Sequence, residues 1–461
     1  MSKKVLSVTS LVMINVAIVC SIKNWPISAE FGLASIFYYM LGAILLFIPV
    51  SLVSAELATG WPQNGGVYVW IKEALGERMG FLAIWLLWVE NLVWYPTILS
   101  FLSGTLAYAF MPSLADNTTY TFITTLILFW GATFLNLRGM KVSSFISSFS
   151  VIFGTLIPGV IIILMGIYWI LSGNPTYIEF SWNGLVPDLS SLSKMSLLVG
   201  VILGYAGMEV SAIHAIDVEN PQRDYPLSMF YSVLIIIGLS TLGTLAIAAV
   251  VPQEKIALHA GGIEAIDVFL KAYGLGFSTP FVAILVALGA FGGVSSWLVG
   301  PPRGVLEAAN SGDLPPSFHK TNDAGMPSFI LILQAVLVSI ISMIFLFMPT
   351  VNSSFWMLIS LATQLYVIMY IMLFIAALVL RYKRKEVPRA YKIPFGNIGM
   401  WITALVGIAG SVFCFVLGFV PPEQLDIVHL QFYELFLAVG IALFVGAPFL
   451  ITLFRKPSWH K

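Results

Sequence analysis

Charge is scarce in this chain. Its 461 residues include 22 Lys and Arg and 22 Asp and Glu, or 10% charged, against 59% hydrophobic. Soluble globular proteins carry roughly 25% charge. That deficit excludes a water-soluble protein and makes the bilayer its solvent. Net charge is zero, so only the placement of the charges informs. Cysteine is nearly missing too. Cys20 and Cys414 both fall in apolar segments, which excludes a disulfide framework and leaves two small buried hydrophobes. The five histidines lack ligand spacing: His214 is placed at a helix end and the others in loops or at the tail. Scattered Gly-Gly pairs stand outside any phosphate-loop or dinucleotide context. No nucleophile constellation, metal set or nucleic-acid motif is present, so neither an enzyme nor a cofactor-dependent protein is expected. Low-complexity tracts are absent. The longest connections, 172–194, 252–277 and 308–327, are too short to fold as domains of their own.

What the chain has instead is apolar length. Windows of about 20 apolar residues, enough to cross ~30 Å of hydrocarbon, fall near 6–27, 34–56, 80–110, 121–137, 144–171, 195–218, 227–251, 278–307, 328–349, 354–380, 399–419 and 431–454. These twelve windows predict an all-α integral membrane protein. The first, with Lys3 and Lys4 before it and no small-residue cleavage site, reads as a retained span rather than a signal peptide. With the N-terminus inside, eighteen of the 22 Lys and Arg fall in cytoplasmic segments. Lys194, Lys255 and Lys271 lie outside and Lys23 lies within a span. That asymmetry predicts both termini in the cytoplasm.

Lys23 is the exceptional residue. It ends a nearly unbroken apolar run from Val5 to Ile22, where an ammonium costs at least ~3 kcal/mol on insertion scales. It therefore either reaches a polar pocket or snorkels to the surface. Asn24-Trp25-Pro26 follows, and proline does not continue a helix cleanly. Span six carries a second interruption, Gly204-Tyr205-Ala206-Gly207-Met208-Glu209, with two glycines and an acid at mid-run. Irregular backbone at membrane depth survives where it lines a cavity. The alternative for Gly204 and Gly207 is a close helix contact. Breaks five spans apart suit two inverted five-helix units with a site between them. Freed N–H groups would receive a carboxylate and freed carbonyls an amine, which selects a small zwitterion or an ammonium compound.

Residues 202–229, ILGYAGMEVSAIHAIDVENPQRDYPLSM, resemble the sixth-helix block of the amino acid–polyamine–organocation superfamily, in particular its bacterial glutamate/GABA antiporter branch. Ser296-Trp297-Leu298-Val299-Gly300-Pro301-Pro302-Arg303-Gly304, Gly65-Gly66-Val67-Tyr68-Val69-Trp70 and Leu314-Pro315-Pro316-Ser317-Phe318 are similar to further blocks. The likeness runs along nearly the whole chain. It implies one transporter domain with a LeuT-like fold: a first five-helix repeat at 6–171, an inverted repeat at 195–380, discontinuous helices one and six, and two extra helices at 399–454. It implies exchange of amino acids by alternating access in the inner membrane, with an amino acid and lipid as partners. Carried over by position, the substrate site comprises Ser21, Lys23, Asn24 and Trp25 at the first break and Tyr205, Ala206, Gly207 and Glu209 at the second. Gly293 and Trp297 of span eight and Tyr366 and Tyr370 of span ten complete it, the rings as covers or gates, or else as ordinary packed aromatics.

Departures from that branch matter as well. Its members carry tyrosine at the position of Lys23, glutamine at Glu90 and glutamate at Gly293. Lys23 and Glu90 are therefore candidates for an ion pair, and with Glu209 they are the candidate coupling groups. The long C-terminal tail of the relatives is missing after Lys461, so acid gating by that device is not expected. Glu209 would bind the substrate amine, couple a proton, or tie down half-helix N–H groups. Glu219-Asn220-Pro221-Gln222-Arg223-Asp224-Tyr225-Pro226 reads as a turn, either a plain connector or a hinge. Arg381 to Lys385 reads as a topology mark touching anionic lipid. Proton-coupled uptake and a transporter-like amino-acid sensor are the rival functions.

Overall fold

The computed structural model describes residues 7–62, 65–139, 152–210, 218, 220–423 and 430–459. Lys3, Lys4, Lys141, His214, Glu219, Lys461 and the start of the fifth window lie outside them. Among the described residues, eleven helices are long and apolar enough to cross a membrane. Nine of the windows coincide closely with such helices. For example, the third falls within Glu77–Phe110, the tenth within Val351–Lys383 and the twelfth near Leu430–Leu453. The fifth is described as Ile152–Leu171 and the sixth as Leu192–Val210, with 211–217 lying outside the described residues. The first is interrupted, and its pieces are too short to be counted.

Two helices form the inner frame. Glu77–Phe110, with Pro96 inside it, is buried along almost its whole length, and Val351–Lys383 packs against it. Outer helices turn apolar side chains outward. Leu435, Val439 and Leu443 of Leu430–Leu453 are all exposed, one above another at i, i+4 and i+8. In lipid that exposure carries no hydrophobic penalty, so packing rests on close fit and small residues instead.

Gly154 and Gly289 show how close that fit becomes. A Cβ built on Gly289 would lie 2.3 Å from the Gly154 carbonyl carbon, so the two helices meet backbone to backbone. Gly289→Ala is expected to lower the thermal unfolding temperature of the detergent-purified protein, as overpacking costs typically 1–3 kcal/mol. Gly131→Ala, where nothing lies within 4 Å, serves as the control and should leave it unchanged.

Prolines correct two expectations. Pro26 does not break the first span: it sits in the first turn of the restarted helix Trp25–Ala29, where its missing N–H has no intrahelical partner to lose. Likewise 220–226 is not a turn. Pro221 opens the helix Pro221–Val250, which continues through Pro226. In the eighth window the helix Thr279–Trp297 ends early, and a separate helix, Gly300–Asn310, begins at Pro301 and Pro302.

Candidate functional site

The first interruption lies three residues before Lys23. Helix Val8–Val19 ends at Cys20, with ψ 112°, and Ser21 is extended at φ −136°, ψ 130°. A single tight turn, Ile22–Asn24, carries Lys23 inward before the helix resumes. The second interruption follows helix Leu198–Gly204. Gly207 stands at φ +112°, a conformation that residues with a Cβ rarely adopt. The two interruptions touch. Asn24 packs on Gly204, its Nδ2 3.3 Å from where a Cβ would stand, and Ile18 Cγ2 comes within 2.9 Å of the equivalent point at Gly207.

Between them lies a cavity of about 40 Å³, room for a few water molecules at most. Ser21, Lys23 and Asn24 line it from the first interruption, Gly204 and Ala206 from the second, Glu90, Asn91 and Trp94 from Glu77–Phe110, and Trp297 and Tyr366 from two further helices. Trp94 and Trp297 form one wall, with ring centroids 5.9 Å apart.

Lys23 is 1% exposed. Its Nζ donates to Thr97 Oγ1 at 2.9 Å and lies 5.0 Å from the Trp94 ring and 5.7 Å from the Phe355 ring. Thr97 in turn donates to the Trp94 carbonyl at 2.7 Å. The ammonium therefore does not snorkel; one hydroxyl and two ring faces hold it inside. Among the described residues it forms no direct ion pair. Glu90 accepts from Asn91 Nδ2 at 3.0 Å, and among the described residues no cation lies within 4.0 Å of its carboxylate.

Glu209 is placed differently. Tyr366 donates to its Oε1 at 2.6 Å and Tyr370 to its Oε2 at 2.9 Å, while the Gly207 N–H donates to the Tyr370 hydroxyl at 3.1 Å. Both carboxylate oxygens are engaged, which ties the second interruption to Val351–Lys383. Several other expected residues face away from the cavity. Trp25 fills a slot against Gly243 and Gly159. Tyr205 stacks on Phe47 at 4.5 Å and donates to the Tyr39 carbonyl. Gly293 has Ile98 as its near neighbour. The restarted helix Trp25–Ala29 is only five residues long, so its dipole contributes little to holding an anion.

Asn91, Trp94 and Thr97 were not singled out from sequence. The signal was present in their spacing, since Glu90, Trp94 and Thr97 share one face of a helix, but a continuous helix gives no break to draw the eye. In the basic run Arg381 to Lys385, the expected contact with lipid fails for Arg381. Arg381 is buried against Glu56, and Arg384 pairs with Glu73 at 2.5 Å, while Lys383 and Lys385 remain exposed.

Comparison with known proteins agrees with this architecture. A family model described as amino acid permease matches residues 4–444. The chain is 45% identical over 451 residues to an uncharacterized transporter of Legionella pneumophila, covering 98% of this chain and 97% of that protein. It is 34% identical over 466 residues to a glutamate/gamma-aminobutyrate antiporter of Lactococcus lactis, covering 100% and 92%. A probable agmatine/putrescine antiporter of the same species is 26% identical over 372 residues, covering 79% and 77%. A family model that spans nearly the whole chain and relatives that match it end to end agree, and the chain belongs to the amino acid permease family.

Proposed function

We propose that this protein is a secondary active antiporter that exchanges an amino acid for a related amino acid or amine by alternating access. One observation carries the reading: the two interruptions meet face to face around a small cavity that holds an ammonium. A carboxylate entering that space finds Lys23. The cavity is too small for an amino acid as it stands, so binding requires the surrounding helices to move apart. Glu209 serves as a tether. Through Tyr366 and Tyr370 it couples the second interruption to Val351–Lys383, so that the two move together.

The same reading arranges the chain as twelve membrane helices, with inverted repeats at 6–171 and 195–380 and the pair at 399–454 outside them. Both termini face the cytoplasm of a bacterial inner membrane, the orientation that the Lys and Arg asymmetry favours. The relatives named as glutamate/gamma-aminobutyrate and agmatine/putrescine antiporters support exchange over one-way uptake.

Counterflow in proteoliposomes tests it. Vesicles preloaded with a labelled amino acid are expected to release label only when an exchangeable amino acid or amine is present outside. Release driven by a pH gradient alone, with nothing outside, would replace exchange with proton-coupled transport. Binding without flux would make the protein a sensor.

A further inference from the structure

The cavity contains two charged side chains with incomplete bonding, and we propose that together they select its ligand: a small net-neutral amino-acid zwitterion, with its carboxylate on Lys23 and its ammonium on Glu90. This rests on the exchange function proposed above and names its substrate class.

A lysine ammonium has three N–H donors, and among the described residues Lys23 gives one, to Thr97. The Trp94 and Phe355 faces share its charge without accepting a hydrogen bond of ordinary strength. Glu90, 3% exposed, receives one hydrogen bond from Asn91. Buried charges left in this condition are costly, and direct pairing would relieve both. Among the described residues the two do not pair directly: the ammonium is anchored on Thr97, which lies on the same face of Glu77–Phe110 seven residues beyond Glu90. A zwitterion seated between them completes both sets of bonds and adds no net charge to a buried site.

Glu209 does not line the cavity, and Tyr366 and Tyr370 each donate to one of its oxygens, so Glu90 is the carboxylate that faces an amine there. That moves the amine's partner from the sixth segment to the third. The rest of the lining is neutral. Trp94, Trp297, Tyr366 and Leu203 offer no cation to a second carboxylate and no anion to a second amine. An acidic amino acid would bring its extra carboxylate against Glu90 or against neutral walls. A diamine would set one ammonium against Lys23. Like charges in such a space disfavour both ligands.

The test is competition against counterflow, together with binding to the purified full-length protein. The probes are alanine, β-alanine and γ-aminobutyrate as net-neutral ligands, glutamate as the anion, putrescine as the cation, and propionate and ethylamine as halves of the zwitterion. At least one net-neutral probe should bind roughly 10-fold or more tighter than glutamate and putrescine. Glu90→Gln should weaken that probe by roughly 10- to 100-fold, the worth of a charge-assisted hydrogen bond, while propionate binding stays unchanged. Lys23→Gln should weaken the same probe while ethylamine binding stays unchanged. Preferred binding of glutamate or putrescine overturns the assignment, as does equal weakening of propionate and the zwitterion by Glu90→Gln. If either variant fails to fold, the ligand preference of the unsubstituted protein still decides. Counterflow that persists with the wrong preference removes only this assignment, whereas no counterflow with any probe removes the exchange function itself.

Discussion

Lys23→Met is expected to leave the protein at least as heat-stable as its parent while removing most of its transport. The two effects have separate causes. Methionine keeps roughly the volume of the lysine stem among Trp94, Phe355 and Thr97, and volume-conserving swaps in packed interiors usually cost under about 1.5 kcal/mol. It also removes a buried ammonium, whose presence at bilayer depth costs at least ~3 kcal/mol on insertion scales. Transport is different. Losing the group that meets the substrate carboxylate removes a charge-assisted hydrogen bond, a loss of about 10- to 100-fold in affinity. Thermal unfolding in detergent and counterflow at matched protein density would measure both. Parental counterflow in Lys23→Met would show that the ammonium is not a ligand. A strong fall in unfolding temperature would show that it is a structural member.

Glu56→Ala is expected to have the larger effect on stability. Glu56, in the helix Ile48–Gly60, is 1% exposed. Its Oε1 engages Arg381 and stands 3.8 Å from Arg389 Nε, and its Oε2 accepts the Ile393 N–H at 2.8 Å. Arg389 Nη2 donates to the carbonyls of Leu380 at 2.7 Å and Arg384 at 3.2 Å, and its guanidinium lies 5.1 Å from the Trp61 ring. Deleting the carboxylate strands two buried guanidiniums and one amide. Removing one partner of a buried pair costs about 3–5 kcal/mol, a large share of any protein's stability. The combined variant Glu56→Leu, Arg381→Met, Arg389→Met should recover most of that loss, because apolar replacement of a whole buried cluster is often neutral or stabilising. Unfolding of Glu56→Ala at the parental temperature would contradict the account, and so would a combined variant no better than Glu56→Ala.

The helices were legible because hydropathy acts locally. An apolar run of about 20 residues has few alternatives in a bilayer, so most window positions match closely. Both interruptions were legible for a related reason: Lys23 in an apolar run and paired glycines at mid-span violate the same local rule. Their limits were less so. Pro26 suggested the break, yet it occupies a position that helices tolerate, and the chain departs at Cys20 and Ser21 instead. Proline removes a donor wherever it stands, but only the position within the helix determines whether that donor was needed.

Roles of the charged groups divide along the same line. From Lys23, Glu90 and Glu209 as residue types, the sequence by itself determined that polar groups converge inside the membrane. It could not determine who meets whom. Glu209 looked available for an amine until two tyrosines, 157 and 161 residues away in sequence, were found on its oxygens. Lys23 and Glu90 looked like a pair until Thr97, 74 residues on, was found holding the ammonium. Arg381 looked like a lipid-facing mark until Glu56, 325 residues away, was found beneath it. Hydrophobicity and backbone rules are properties of neighbours in sequence, so the chain carries them openly. Hydrogen bonds and charge contacts act over a few ångströms between distant segments, and only the packing of the helices decides which of them form.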